Sequence, residues 1–169
     1  MTYTTPRRTA SMPALLALLA LLLAAGCDTQ RGDQEAFVEM ANLPPKNFAR
    51  TDASGTILED DPDDWRTAPF FAGKISFRPA YPNPTTGEPV TLPFTVLEFN
   101  AISNRLVLRA RDPGDPNRLI LLDDLTNASE TGGHDFRFAP GLIGIPGLHR
   151  LFVFDAVGEI VTYGDLKLE

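Results

Sequence analysis

The sequence predicts an all-β fold, an antiparallel β-sandwich preceded by a leader helix, a short second helix and a linker. Three observations carry this expectation. Beyond residue 42, no apolar pattern at helical spacing runs longer than about ten residues. Apolar and polar residues alternate instead, as along a strand with one face in a core. Turn-forming clusters of Gly, Pro, Asn and Asp recur every ~8–15 residues, the rhythm of a sandwich of short strands.

The elements follow in order. Asp33 to Ala41 predicts a brief helix, with Phe37 and Met40 on one face, Ala36 and Ala41 nearby, and Asp33 as its cap. Leu43-Pro44-Pro45 ends it, because the residue before a proline avoids helical backbone. So short a helix is marginal alone and has to dock. From Pro44 to Pro69 the chain is turn-rich and acidic, with a short strand expected at Thr56 to Leu58. Period two then begins at Lys74 to Arg78 and continues in Val90 to Phe99, Arg105 to Arg111, Leu119 to Leu122 and His134 to Phe138. Pro93 predicts an edge strand or a bulge, since it cannot donate to a ladder. Leu148 to Asp155 and Glu159 to Leu168 flank Ala156-Val157-Gly158 as a closing hairpin. Alternation sends Ile75, Phe77, Leu92, Phe94, Leu106, Leu108, Leu119, Leu121, Phe136, Leu151, Val153 and Tyr163 into the core.

The first 26 residues read as a signal segment. Arg7 and Arg8 give a positive start, Ala14 to Ala25 an apolar run of 12 residues, and Ala24, Ala25 and Gly26 a small exit. A membrane-spanning helix needs about 20 apolar residues, so the run suits a signal core better. The chain's single cysteine, Cys27, stands directly behind it. The ending Leu23-Ala24-Ala25-Gly26-Cys27 resembles the lipobox of bacterial lipoproteins, with Ala24 where that family usually has Leu. The resemblance implies cleavage before Cys27 and lipidation of its thiol. The division expected is 1–26 signal peptide, 27–69 tether with helix and acidic turns, and 70–169 sandwich.

Composition narrows the function. Without Arg7 and Arg8 the 15 basic residues become 13 against 22 acidic, a net charge of −9 for residues 27–169. Such a surface excludes nucleic acid as a natural partner, since that binding rests on neutralising phosphates. It also argues against adhesion to anionic lipid through a basic patch. With one cysteine there is no disulfide framework, and the fold has to rest on its apolar core.

Tyr81-Pro82-Asn83-Pro84 follows the first clear strand, then come two strand pairs, a glycine-bearing loop at Gly144 to Gly147, and the terminal hairpin. This order resembles the C-terminal sorting domains of the type IX secretion system and the immunoglobulin-like domain of flagellar hook-capping proteins, over about residues 79–169. Gly147-Leu148-His149 looks like the family's Gly-x-Tyr strand entry, with His149 in place of Tyr. The tail Leu166-Lys167-Leu168-Glu169 lacks the basic ending common in that family. The resemblance implies an immunoglobulin-like sandwich and a sorting role. Apart from it, the prolines of the box are expected to fix extended backbone, Asn83 to bond nearby backbone, and Tyr81 to pack at the sandwich end.

Several residues are candidates for chemistry. Asp60, Asp61, Asp63 and Asp64 form an acidic run of the kind that can hold calcium, although the EF-hand spacing is broken by Trp65. Trp65, the only tryptophan, either stacks on a sugar beside those carboxylates or plugs the edge of the core. Asp112, Asp115 and Asn117 either converge on an ion or form a hairpin turn. His134 and His149 are the only histidines, and neither belongs to a nucleophile elbow or a His-Glu-x-x-His motif. The expectation is therefore a non-enzymatic envelope lipoprotein without a cofactor. It would be held to the outer membrane, rather than the inner, by Cys27 and would present a β-sandwich to another envelope protein or a polysaccharide. A calcium-assisted carbohydrate-binding module is the alternative.

Overall fold

The computed structural model describes residues 30–169, so Cys27 and the leader lie outside the described residues. Helix α1 covers residues 30–42 and stops at the predicted Leu43-Pro44 break. Among the described residues nine strands follow: β1 (Arg50–Thr51), β2 (Ile57–Glu59), β3 (Ile75–Phe77), β4 (Val90–Val96), β5 (Leu106–Arg111), β6 (Leu119–Leu125), β7 (Gly132–Phe138), β8 (Gly147–Asp155) and β9 (Ile160–Leu168). Every pairing is antiparallel. β1 and β2 make a small ribbon, β3-β4-β7 a three-stranded sheet, and β6-β5-β8-β9 a four-stranded one. The all-β expectation holds, and among the described residues one α-helix precedes the strands, where the sequence predicts it.

The two larger sheets share one core. Val90, Leu92, Phe94, Val96 and Phe136 come from the first, and Leu106, Leu108, Leu151, Val153 and Leu166 from the second. Phe94 and Phe136 lie 5.3 Å apart between ring centres. Each large apolar side chain so buried stabilises the fold by about 1.5–3 kcal/mol before chain entropy is counted. The β8–β9 turn is closed locally: Asp155 Oδ1 accepts the N–H groups of Val157 and Glu159, and Gly158 takes a φ of 92° that only glycine adopts easily.

Three expectations are corrected by the packing. Pro93 lies in β4, the central strand of its sheet. The N–H of Arg78 donates to Pro93 O at 3.0 Å, but the return bond would need a hydrogen on the proline nitrogen. The β3–β4 ladder therefore ends at Phe77, and the missing donor costs nothing further inside it. Leu121 is 54% exposed, because the β5–β6 register slips between Leu108 and Arg109. Leu108 faces Asp123 and Arg109 faces Leu121, so the extra residue, Leu122, takes the buried position. In α1 the buried stripe is Gln34, Phe37 and Ala41, while Ala36 and Met40 are exposed and Asp33 lies inside the helix rather than capping it.

The helix lies on the outer face of the four-stranded sheet, with the Phe37 ring centre 5.0 Å from that of Tyr163 of β9 and the two rings tilted at 52°. Phe37, Ala41, Trp65 and Ala68 belong to the same core cluster as the sandwich strands, so residues 30–69 are built into the fold. The antiparallel order brings the starts of β3, β5, β7 and β9 to one end of the sandwich, together with the ends of β4, β6 and β8. The first turns of α1 lie at this entry end, where Gln34 Oε1 accepts the Phe70 N–H at 3.2 Å.

Candidate functional site

Strand β9 is the edge of its sheet, and an open edge invites pairing with other chains. Here residues 64–68 and 83–85 seal it. Main-chain N–H groups of Trp65 and Ala68 donate to the carbonyls of Tyr163 and Val161 at 2.7 and 2.8 Å. Two side chains stand in for further strand residues. Asp64 Oδ1 accepts the Asp165 N–H at 3.0 Å, and its Oδ2 accepts the Ala49 N–H at 2.9 Å. Asn83 is wholly buried; its Nδ2 donates to Ala49 O and Asp165 O, both at 2.9 Å, and its Oδ1 accepts the Lys167 N–H at 3.0 Å. The expectation that Asn83 bonds nearby backbone is thus overturned: its partners come from the N-terminal segment and from β9. Tyr81 and Asn83 both precede cis-prolines, and the Tyr81 ring lies against Gly55.

Beneath α1, on the outer face of the same sheet, Arg150 of β8 and Asp165 of β9 form a buried two-pronged ion pair, Nε to Oδ1 at 2.5 Å and Nη2 to Oδ2 at 2.9 Å. Arg150 Nη1 reaches the carbonyls of Met40 and Ala41 at 3.3 and 3.0 Å, and its guanidinium lies 4.7 Å from the Tyr163 ring centre. Arg111 repeats the device: its two Nη groups hold Asn42 O and Oδ1 at 3.1 and 2.7 Å, and its head lies over Phe152. Two cations thus meet the unpaired carbonyls at the negative end of the helix. The clamp brings Ala41, rather than Met40, down onto the sheet.

Desolvation dominates the electrostatics. Burial, with Asp165 and Asp61 close by, pushes the Asp64 carboxyl up to about 8, against the pull of its two N–H donors. Burial also raises Asp165 above its ordinary value despite the Arg150 fork. Over this cluster a cavity of about 160 Å³ opens among Met40, Lys46, Asp63, Asp64, Arg150 and Tyr163. A wider groove of about 470 Å³ adjoins it, lined by both acids and bases, among them Arg50, Glu59, Asp60 and Lys167.

The acidic run is pulled apart. Asp60 is exposed, Asp61 Oδ1 accepts the Asp63 N–H at 3.1 Å, Asp63 lies 3.9 Å from Arg66, and only Asp64 turns into the fold. Among the described residues no three His, Cys, Asp or Glu side chains gather as a metal-binding group. Trp65 is 3% exposed and fills the edge of the core over Gly164. A Cβ at residue 164 would stand 2.6 Å from the indole Nε1, so the ring fits only because that position is glycine. Nε1 itself is buried without an acceptor among the described residues. That costs about 1–3 kcal/mol, against the 3–5 kcal/mol that a buried aromatic is worth on truncation, so packing wins.

The other candidates are also occupied locally. Asp112 pairs with Arg118 and accepts the Gly114 N–H, and Asp115 accepts the Asn117 N–H, which closes a turn. His134 stacks on Phe94 and His149 bonds Ile145 O; they sit on different sheets. The pair that sequence reasoning missed is Arg150 with Asp165. Its signal was present: opposite charges face each other across an otherwise apolar predicted hairpin.

No protein-family model matches the chain, and no curated protein matches it.

Proposed function

We propose that this chain is a lipid-anchored protein of the bacterial envelope, held by an acylated Cys27 and presenting a non-catalytic, immunoglobulin-like sandwich for contact with another envelope protein or a polysaccharide. The observation that carries the reading is the leader ending Leu23-Ala24-Ala25-Gly26-Cys27 set three residues ahead of a helix bolted to the sandwich. An anchor there would transmit its hold to the folded domain with almost no slack. A lone cysteine is better explained by acylation than as a thiol left unpaired. Two or more acyl chains give durable attachment where one is marginal. The buried polar groups Asp64, Asn83, Arg150 and Asp165 are engaged with backbone and with each other, an arrangement that suits a rigid contact module. Among the described residues no helix is long and apolar enough to cross a membrane.

The Tyr81–Pro84 box resembles the sorting domains, and that resemblance, rather than the leader, supports the outer membrane as the destination. In this chain the box also has a structural task, since Asn83 ties the N-terminal segment to β9. Mass spectrometry of the mature protein extracted from membranes should find Cys27 first and carrying lipid. Cys27→Ser should move the protein to the soluble fraction; continued membrane retention would overturn the anchor.

A further inference from the structure

The entry end of the sandwich carries exposed apolar side chains on adjoining loops. Val157 in the β8–β9 turn is 82% exposed, Phe99 and Leu97 after β4 are 65% and 54% exposed, and Phe70 is 36% exposed. Hydrogen bonds tie these loops together: Leu97 N–H to Lys74 O at 2.8 Å, Lys74 Nζ to Phe70 O at 3.0 Å, and Ala156 N–H to Ser103 Oγ at 3.1 Å. Helix α1 begins at this same end. Cys27 is three residues before residue 30, and three residues of any chain span at most about 11 Å. The far end also has exposed apolar residues, Leu142 and Ile145. Nine-residue β9 puts it roughly 30 Å away. The clamps from Arg111 and Arg150 stop the domain from swinging round on α1 to bring that end over.

We propose that the entry end seats on the bilayer holding Cys27, with Leu97, Phe99 and Val157 entering the headgroup layer. This inference rests on the lipid-anchor reading above. Burying such side chains is favourable, and the anchor keeps them at the surface, so each need contribute only a little. The charge around them selects the lipid. Glu98, Glu130 and Glu159 are exposed at this end, while Arg31 and Arg105 are paired with Glu35 and Asp124 and Lys74 is half-buried, so the surface suits zwitterionic lipid and is repelled by anionic headgroups. The consequence is a fixed posture: the groove by Lys46, Arg50 and Lys167 at the opposite end faces away from the membrane.

The full chain, processed in cells and reconstituted in phosphatidylcholine vesicles, tests this. Val157→Cys, Phe99→Cys and the far-end Ile145→Cys would each carry a fluorescent label, Cys27 being blocked by its lipid. Folding is checked by the emission of the lone Trp65. Quenching by headgroup-nitroxide lipid should be severalfold stronger at 157 and 99 than at 145, and should weaken when phosphatidylglycerol is added. Equal quenching at both ends, or stronger quenching at 145, overturns the orientation while an acylated Cys27 leaves the anchor standing. A Cys27 found without lipid overturns both.

Discussion

At the residue scale the fold turns on a few polar side chains that act as pieces of backbone. Asn83 satisfies two carbonyls and one N–H that no strand reaches. Asn83→Ala would leave all three buried and unpaired, at about 1–3 kcal/mol each. The expected loss is at least about 3 kcal/mol, read from urea unfolding followed by Trp65 emission. A loss below about 1 kcal/mol would mean water reaches these groups. Asp64 makes a prediction in pH. Its folded-state pKa of about 8 lies above the ordinary 3.8, so the folded protein keeps a proton that the unfolded chain releases. Its stabilising effect is full below about pH 4 and is lost as pH climbs to about 8. Asp165, also raised by burial, acts in the same sense. His149, lowered by burial, acts in the opposite one: its contribution is present above about 6.5 and lost as pH falls further. Stability should therefore decline from pH 6.5 to 8, and Asp64→Asn should flatten that limb; an unchanged slope in urea midpoints would refute the assignment.

At the scale of elements, α1 depends on the sheet and the sheet edge depends on the segment after α1. Arg150 both pairs with Asp165 and holds the helix carbonyls. Arg150→Met should cost about 3–5 kcal/mol, because it leaves Asp165 buried and unpaired. Adding Asp165→Leu should restore much of that loss, since an apolar pair of similar size often replaces a buried ion pair without penalty. The clamp would still be gone. Amide exchange across residues 34–42 should therefore stay fast in the double variant while β5 recovers its protection. Recovery of both together would mean the ion pair, and not the clamp, holds the helix.

For the whole molecule, the strand pattern was legible because alternation and turn chemistry are local. β3 to β9 lie where the sequence put them, within a few residues at most ends. What was not legible depends on partners far along the chain. Met40 looks like a core residue until Arg150 pulls Ala41 down in its place. Leu121 looks inward until a one-residue slip against β5 turns it out. The acidic run announces charge but not that Asp64 leaves it, because its burial is set by Ala49 and Asp165, 15 and 101 residues away. Trp65 beside four carboxylates reads as a core plug more readily than as a ligand platform, and its fit over Gly164 is what the sequence does not show.

Those separations also govern the order in which the molecule can assemble. Arg150 meets Met40 across 110 residues, and Thr162 meets the Arg66 carbonyl across 96. Contacts that distant give a high contact order and slow closure. A chain synthesised amino terminus first presents residues 30–68 with nothing yet made to receive them. The short helix cannot persist alone, so this leading stretch stays loose until β8 and β9 emerge to lock it.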